Sequence, residues 1–208
     1  IIGLGIPMSI QRILFTVINI ILAIMIASYG TDAVAAQKIG LQIESITFIV
    51  MGSLNGAVGS FIGQNFGAKK YKRILKGYRV SLLLGISYAL ITSIIFIFFS
   101  EELAGIFTRD PETIAITSAY LTIIGLSQIF MAIEIICMGA YTGIGMPKIP
   151  STISVIFTLM RIPLAILLIP SLGLAGIWWS IAISSFVKGI VSVLIFNTIY
   201  RRKYQHAI

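Results

Sequence analysis

The sequence predicts an all-α protein, a polytopic transmembrane bundle of six helical spans, and three observations carry that prediction. First, 58% of the 208 residues are hydrophobic and only 11% are charged, with a mean hydropathy of +1.03; a soluble domain carries about 25% charged residues. Second, the apolar residues gather into six runs, each near the roughly 20 residues a helix needs to cross a bilayer. Third, the positive charge, +8 net, sits between those runs rather than on a folded face. That placement argues for a membrane and against nucleic acid as a partner. The ten-residue alternation of barrel strands is missing.

The first span covers about Ile2–Ser28, with Pro7 in its opening turn, where a missing N–H costs little. The chain opens on "IIGLGIP", without Met and without a signal-peptide layout. It is therefore expected to be a fragment that starts at the edge of a membrane helix. After "YGTD" comes the second span, about Ile39–Ile62 or longer at its start. It carries Gly52, Gly56 and Ser60 four residues apart, and Gly59 with Gly63. Small residues at that interval predict close helix–helix packing. The third span is about Val80–Phe99, and "TRDPE" separates it from the fourth, about Ile114–Tyr141. "GIGMPKIP" leads into the fifth, about Ile149–Ile169, which contains Pro163. A proline there leaves a carbonyl unpaired and kinks the helix, either as a hinge or as a bend that only shapes packing. "PSLGLAG" then leads into the sixth, about Leu174–Tyr200.

Lys and Arg accumulate in cytoplasmic loops. The second-to-third connection carries Lys69, Lys70, Lys72, Arg73, Lys76 and Arg79, the fourth-to-fifth Lys148, and the tail Arg201, Arg202 and Lys203. The opposite side has Lys38 and Arg109 against Asp32, Glu101, Glu102, Asp110 and Glu112. The chain is thus expected in the cytoplasmic membrane with both termini inside. The basic loop also suits contact with acidic membrane lipid. Trp178 and Trp179 fall at the outer interface, where indoles anchor helices.

Five ionisable residues lie within spans: Arg12, Glu44, Glu134, Arg161 and Lys188. Such residues mark pathways or form structural ion pairs. Depth counted at ~1.5 Å per residue places Glu134, Arg12 and Arg161 in the inner half or the middle. Either arginine is then a partner for Glu134. Glu44 falls near the outer end of its span with no basic residue at its depth, and Lys188 has a stem long enough to reach an interface. Tyr120, Ser127, Glu134 and Tyr141 recur every seven residues and share a helix face. Met131 and Met138 flank Glu134 on it. A carboxylate among thioethers and aromatic rings suits bulky, partly cationic, apolar ligands. Glu44 and Asn55 share a face of the second span, with Met51 between them; Gln11, Phe15 and Asn19 share one of the first. Cys137 reads as a small buried hydrophobe, and with His206 as the single histidine no zinc site can be assembled. HExxH, paired aspartates and serine–histidine arrangements are all missing, so the chain is not expected to be an enzyme.

The stretches "ESITFIVMGSLNGAVGSFIGQNFGAKKYKR", "CMGAYTGIGMPKIP" and "RIPLAILLIPSLGLAGIWWSIAIS", in that order, resemble the C-terminal half of multidrug and toxic compound extrusion (MATE) transporters. The resemblance implies one six-helix lobe of a twelve-helix transporter, with residues 1–208 as a single lobe and an N-terminal lobe as its partner. It implies export of drug-like organic cations in exchange for protons or sodium ions, by alternating access, with no other cofactor. Many members carry an acid in the seventh helix where this chain has Phe15, and a Glu in the tenth where it has Met131. By that alignment Glu134 takes the displaced role. A flippase for a lipid or polysaccharide precursor, from a related superfamily, is the second reading; its anionic head group would fall to Arg12, Arg161 and Lys188.

Overall fold

A computed structural model describes the backbone of residues 2–204 and the side chains of residues 12–200. The expectations for Pro7, Gln11, the basic tail and His206 therefore fall outside the described side chains. The chain runs α1 (Ile2–Ala27), α2 (Thr31–Gly67), α3 (Tyr71–Phe98), α4 (Ser100–Gly105), α5 (Pro111–Gly143), α6 (Lys148–Leu159), α7 (Arg161–Leu172) and α8 (Leu174–Tyr204). Six crossings are present if α6 and α7 are taken as one broken span; together they run Lys148–Leu172. The short α4, which caps the end of α3, was not expected.

The element at the centre is α5, which packs on α2, α3 and α8, while α1 rests mainly on α6. Burial follows from this layout. Leu121, Ile124, Ala132, Ile136 and Ala140 on α5 are sealed inside, whereas Ile49, Leu83, Phe98 and Leu167 on the outer helices are open to the surroundings. A protein that presents large aliphatic side chains all round its perimeter is stable in hydrocarbon, not water. The start of α5 is set locally: Asp110 caps it, accepting the Thr113 N–H at 2.8 Å, and Pro111 occupies the first position, where no N–H is needed.

The basic connection is tighter than the sequence suggests. Only Ala68, Lys69 and Lys70 lie between α2 and α3, and Lys72, Arg73, Lys76 and Arg79 are exposed on the first turns of α3. The turn closes by Lys70 N–H to Asn65 C=O at 2.8 Å and Lys69 N–H to Phe66 C=O at 3.0 Å. This is the Schellman arrangement, with Lys69 at φ 56° in the position usually given to glycine. The α5 end repeats it, with Met146 N–H to Tyr141 C=O at 2.8 Å and Gly145 at φ 76°.

Small residues do make a seam, but only one of the two expected stripes is in it. Gly59 and Gly63 on α2 face Gly139 and Gly143 on α5; a Cβ on Gly139 would stand 2.6 Å from the Asn55 carbonyl oxygen, and one on Gly143 2.8 Å from that of Gly59. Gly52, Gly56 and Ser60 point the other way, exposed, and both glycines have open space where a Cβ would go. They do not pack against the described residues. Interval alone identifies a smooth helix face, not which neighbour it meets.

Pro163 is also placed differently. The helix breaks at Met160, and Pro163 sits in the first turn of α7. The proline ring cannot share space with the carbonyl four residues back, so the break falls one turn before Pro163. The effect is a bend that turns Arg161 inward, where it is buried.

Candidate functional site

Helices α1, α2, α5, α6, α7 and α8 enclose a mostly apolar cavity of about 530 Å³. Four ionisable side chains reach it: Glu44, Glu134, Arg161 and Lys188. Each is more than nine-tenths buried.

The pairing differs from the expectation. Glu134 Oε2 lies 3.0 Å from Lys188 Nζ, and neither arginine pairs with it. Arg12 is exposed beside an outer groove with Phe15, Asn19 and Met138. Lys188 does not reach an interface. Its place near the middle of α8 puts it about 18 Å from the nearer end of the span at ~1.5 Å per residue, too far for its stem. A buried ammonium without a carboxylate is costly, and Glu134 is the acid at its depth.

Glu44 lies deeper than expected because α2 begins at Thr31, about two turns before the apolar run does. Its Oε2 accepts the Tyr120 hydroxyl at 2.8 Å. Gly40 makes that bond possible, because the Tyr120 ring lies where a Cβ on residue 40 would stand. Trp178 packs edge-on against Tyr120, centroids 5.5 Å apart, and its indole N–H donates to Gln37 Oε1 at 2.8 Å. Trp178 is thus a core residue and not an interface anchor; Trp179 beside it is half-buried.

Arg161 lies within electrostatic reach of both acids, without an ion pair to either. Glu44 therefore does share its depth with a base. The Arg161 Nε–H donates to Ser184 Oγ at 2.8 Å, and the guanidinium carbon stands 5.9 Å from the centre of the Phe15 ring.

Of the sequence candidates, Tyr120, Ser127, Met131, Glu134, Met138, Glu44, Arg161 and Asn19 all border the cavity. The seven-residue reading of α5 holds from Tyr120 to Glu134 and fails at Tyr141. That side chain turns into a separate core, its hydroxyl donating to the Ser192 carbonyl at 2.9 Å. Asn55 stands apart from the cavity: its Nδ2–H donates to the Ile135 carbonyl at 2.6 Å and ties α2 to α5. Met51 is buried in the core beside it. Cys137 is buried as expected, with the Tyr78 hydroxyl 3.3 Å from its Sγ. Gln37, Ser154 and Ser185 also border the cavity and were not foreseen, because uncharged polar residues in a span are too common to single out. Gln128 is fully buried beside Glu44.

Removing the Tyr120 hydroxyl tests this arrangement. Tyr120→Phe leaves the buried Glu44 short of a donor, a loss of about 1–3 kcal/mol. A lowered thermal midpoint in detergent is expected. An unchanged one would mean the bond contributes nothing.

The MatE family model matches residues 7–167. The chain belongs to the MatE family. It is 29% identical over 200 residues to the probable multidrug resistance protein NorM of Thermotoga maritima, an alignment that covers 94% of this chain and 43% of that protein. It is 25% identical over 201 residues to the multidrug resistance protein MdtK of Yersinia pseudotuberculosis, covering 92% and 44%. Among solved structures, the Vibrio cholerae MATE transporter VcmN superposes with a TM-score of 0.87 at 20% identity, over 96% of this chain and 46% of that one. A MOP superfamily transporter from Pyrococcus furiosus superposes at 0.86 and 18% identity, over 92% and 43%. These two likenesses show the fold. The MatE chain described here spans less than half the length of the relatives it matches. It is a multi-pass membrane protein.

Proposed function

We propose that this chain is the C-terminal lobe of a twelve-helix exporter that moves drug-sized amphiphiles out of the cell in exchange for protons or sodium ions. The observation that supports it is the apolar cavity holding Glu44, Glu134, Arg161 and Lys188 in the middle of a MatE bundle. A cavity of about 530 Å³ falls in the range of small-molecule sites, which bury their ligand against apolar walls and orient it with a few polar groups. Coupling works through charge. A cationic substrate that reaches Glu134 must displace Lys188, and a proton or sodium ion that takes Glu134 returns Lys188 to the cavity. Substrate and ion thus exclude one another, and rocking of this lobe against the N-terminal lobe exposes the site to either side. The test is the full-length protein in liposomes, with a drug such as ethidium added outside and proton and sodium movement followed inside. Drug-driven flux of one ion is expected. Flux of neither ion, with drug still crossing, would overturn the exchange.

The orientation is part of the proposal. The Ala68–Lys70 turn and both ends of the chain lie in the cytoplasm, with the Gly30 and Arg109 turns outside. Single cysteines introduced at Thr31 and Lys72 are expected to react with a membrane-impermeant maleimide from opposite sides of the cell membrane. Labelling of both from the same side would refute it.

A further inference from the structure

We propose that the groove between α2 and α3 beside the Ala68–Lys70 turn is a binding site for an anionic phospholipid, with Arg73 and Lys76 holding its phosphate. The groove shares no residue with the cavity, so the proposal stands apart from the exchange mechanism. It has a volume of about 400 Å³ and is lined by Phe61, Arg73, Lys76, Gly77, Val80 and Ser81. A missing side chain shapes it. A Cβ on residue 77 would occupy the space of the Phe61 ring, so Gly77 lets that ring lie close against α3. Arg73 and Lys76 are exposed, and residues three apart are neighbours on a helix surface. Both side chains can therefore reach one phosphate at the mouth of the groove.

The charge at this end has no counterpart in the chain. There are seven acids in all. Glu44 and Glu134 border the cavity. Asp32 opens α2, Glu101 and Glu102 lie in α4, and Glu112 follows the Asp110 cap of α5, all at the opposite end of the bundle from the Ala68–Lys70 turn. Among the described residues the one ion pair is Lys188–Glu134. Lys69, Lys70, Lys72, Arg73, Lys76 and Arg79 thus meet no carboxylate of this chain, and their counter-charge comes from outside it. The surface next along α3 suits an acyl chain. Arg73, Val80, Leu84 and Ile91 follow at intervals of seven, four and seven and share one helix face; the three apolar ones are exposed. At ~1.5 Å per residue Val80 to Ile91 spans about 16 Å, close to half the ~30 Å hydrocarbon core. Cations at the head of an apolar stripe one leaflet long repeat the order of a phospholipid, phosphate first and then tail. A zwitterionic lipid offers the same tail but brings an ammonium beside two cations, whereas basic side chains near the surface favour anionic lipid. No residue of α3 borders the cavity, so this face lies away from the proposed substrate path and looks onto lipid.

In the orientation proposed above, the lipid belongs to the cytoplasmic leaflet. The test is made in detergent, where binding does not depend on which leaflet the site faces; the maleimide labelling reads the orientation separately. Full-length protein in dodecyl maltoside is titrated with dioleoyl phosphatidylglycerol or dioleoyl phosphatidylcholine, and bound lipid is counted by native mass spectrometry. Phosphatidylglycerol is expected to bind about tenfold or more tightly, the preference that two cations near the surface supply. Arg73→Gln/Lys76→Gln should reduce that preference to about twofold or less. Lys72→Gln/Arg79→Gln removes the same charge from exposed residues of the same helix that lie outside the groove, and it should keep most of the preference. Gly77→Leu keeps every charge but puts a side chain where the Phe61 ring lies, and it should weaken phosphatidylglycerol several-fold. If Gly77→Leu does not fold, the two charge pairs decide alone. Equal affinity for the two lipids would overturn the proposal. Equal losses in the two charge pairs would leave only a diffuse basic field and overturn it as well. So would unchanged binding in a folded Gly77→Leu protein, which would put the lipid outside the groove. Displacement of phosphatidylglycerol by inorganic phosphate would make the occupant a free anion and refute a lipid site.

Discussion

Glu134→Gln is expected to weaken the fold before it is seen to change transport. The substitution leaves the Lys188 ammonium buried without its counter-charge, and breaking one side of a buried pair costs about 3–5 kcal/mol. The pair is secluded, with side chains 11% and 7% exposed, so solvent offers little relief. Thermal unfolding in detergent should therefore shift down strongly for Glu134→Gln and for Lys188→Met alike. The double variant Glu134→Gln/Lys188→Met has no orphaned charge and should recover most of the loss, because a buried pair replaced as a unit is close to neutral. The two states give a clean functional assay. A double variant that is stable yet exchanges no ion for drug places Glu134 in coupling. One that exchanges normally removes it. If the single variants unfold no earlier than the parent, the 3.0 Å contact is not an ion pair in the membrane.

Gly139→Val is expected to separate α2 from α5. Its first carbon alone would stand 2.6 Å from the Asn55 carbonyl oxygen, a backbone atom that cannot rotate away. Moving the helix apart also breaks the Asn55–Ile135 hydrogen bond at 2.6 Å. Overpacking of this kind costs about 1–3 kcal/mol, and more where the obstacle is backbone. Gly139→Val/Gly143→Val, with the second carbon 2.8 Å from the Gly59 oxygen, should fail to accumulate in the membrane. Gly52→Ala and Gly56→Ala are the matched control. Nothing lies within 4 Å of either Cβ position, so stability should stay within about 0.5 kcal/mol. Similar damage from both pairs, read by in-gel fluorescence of a fusion after detergent extraction, would mean the seam is misplaced.

The contrast between those two stripes shows where sequence reading stops. Both have the same residue types at the same spacing, and one is an interface while the other faces outward. The same limit explains the charges. Lys188 was read as able to reach an interface, but it is buried against Glu134, a pairing that depends on how α8 is rotated against α5. Glu44 was misplaced in depth because α2 continues past the apolar run through Thr31–Lys38, a stretch too polar to read as membrane helix. Asn55 shares a face with Glu44, yet it binds a backbone carbonyl that no pattern announces.

Composition and run length by themselves determined the solvent, the number of crossings and the turns between them. Those are properties of one segment at a time, set by the cost of exposing polar backbone to hydrocarbon. Helical periodicity determined which residues of α5 travel together from Tyr120 to Glu134. The tertiary structure alone decided that Lys188 holds Glu134 and that Tyr120 holds Glu44. Each depends on the rotation and offset between helices far apart in the chain, where packing of side chains sets the angle and no local signal records it.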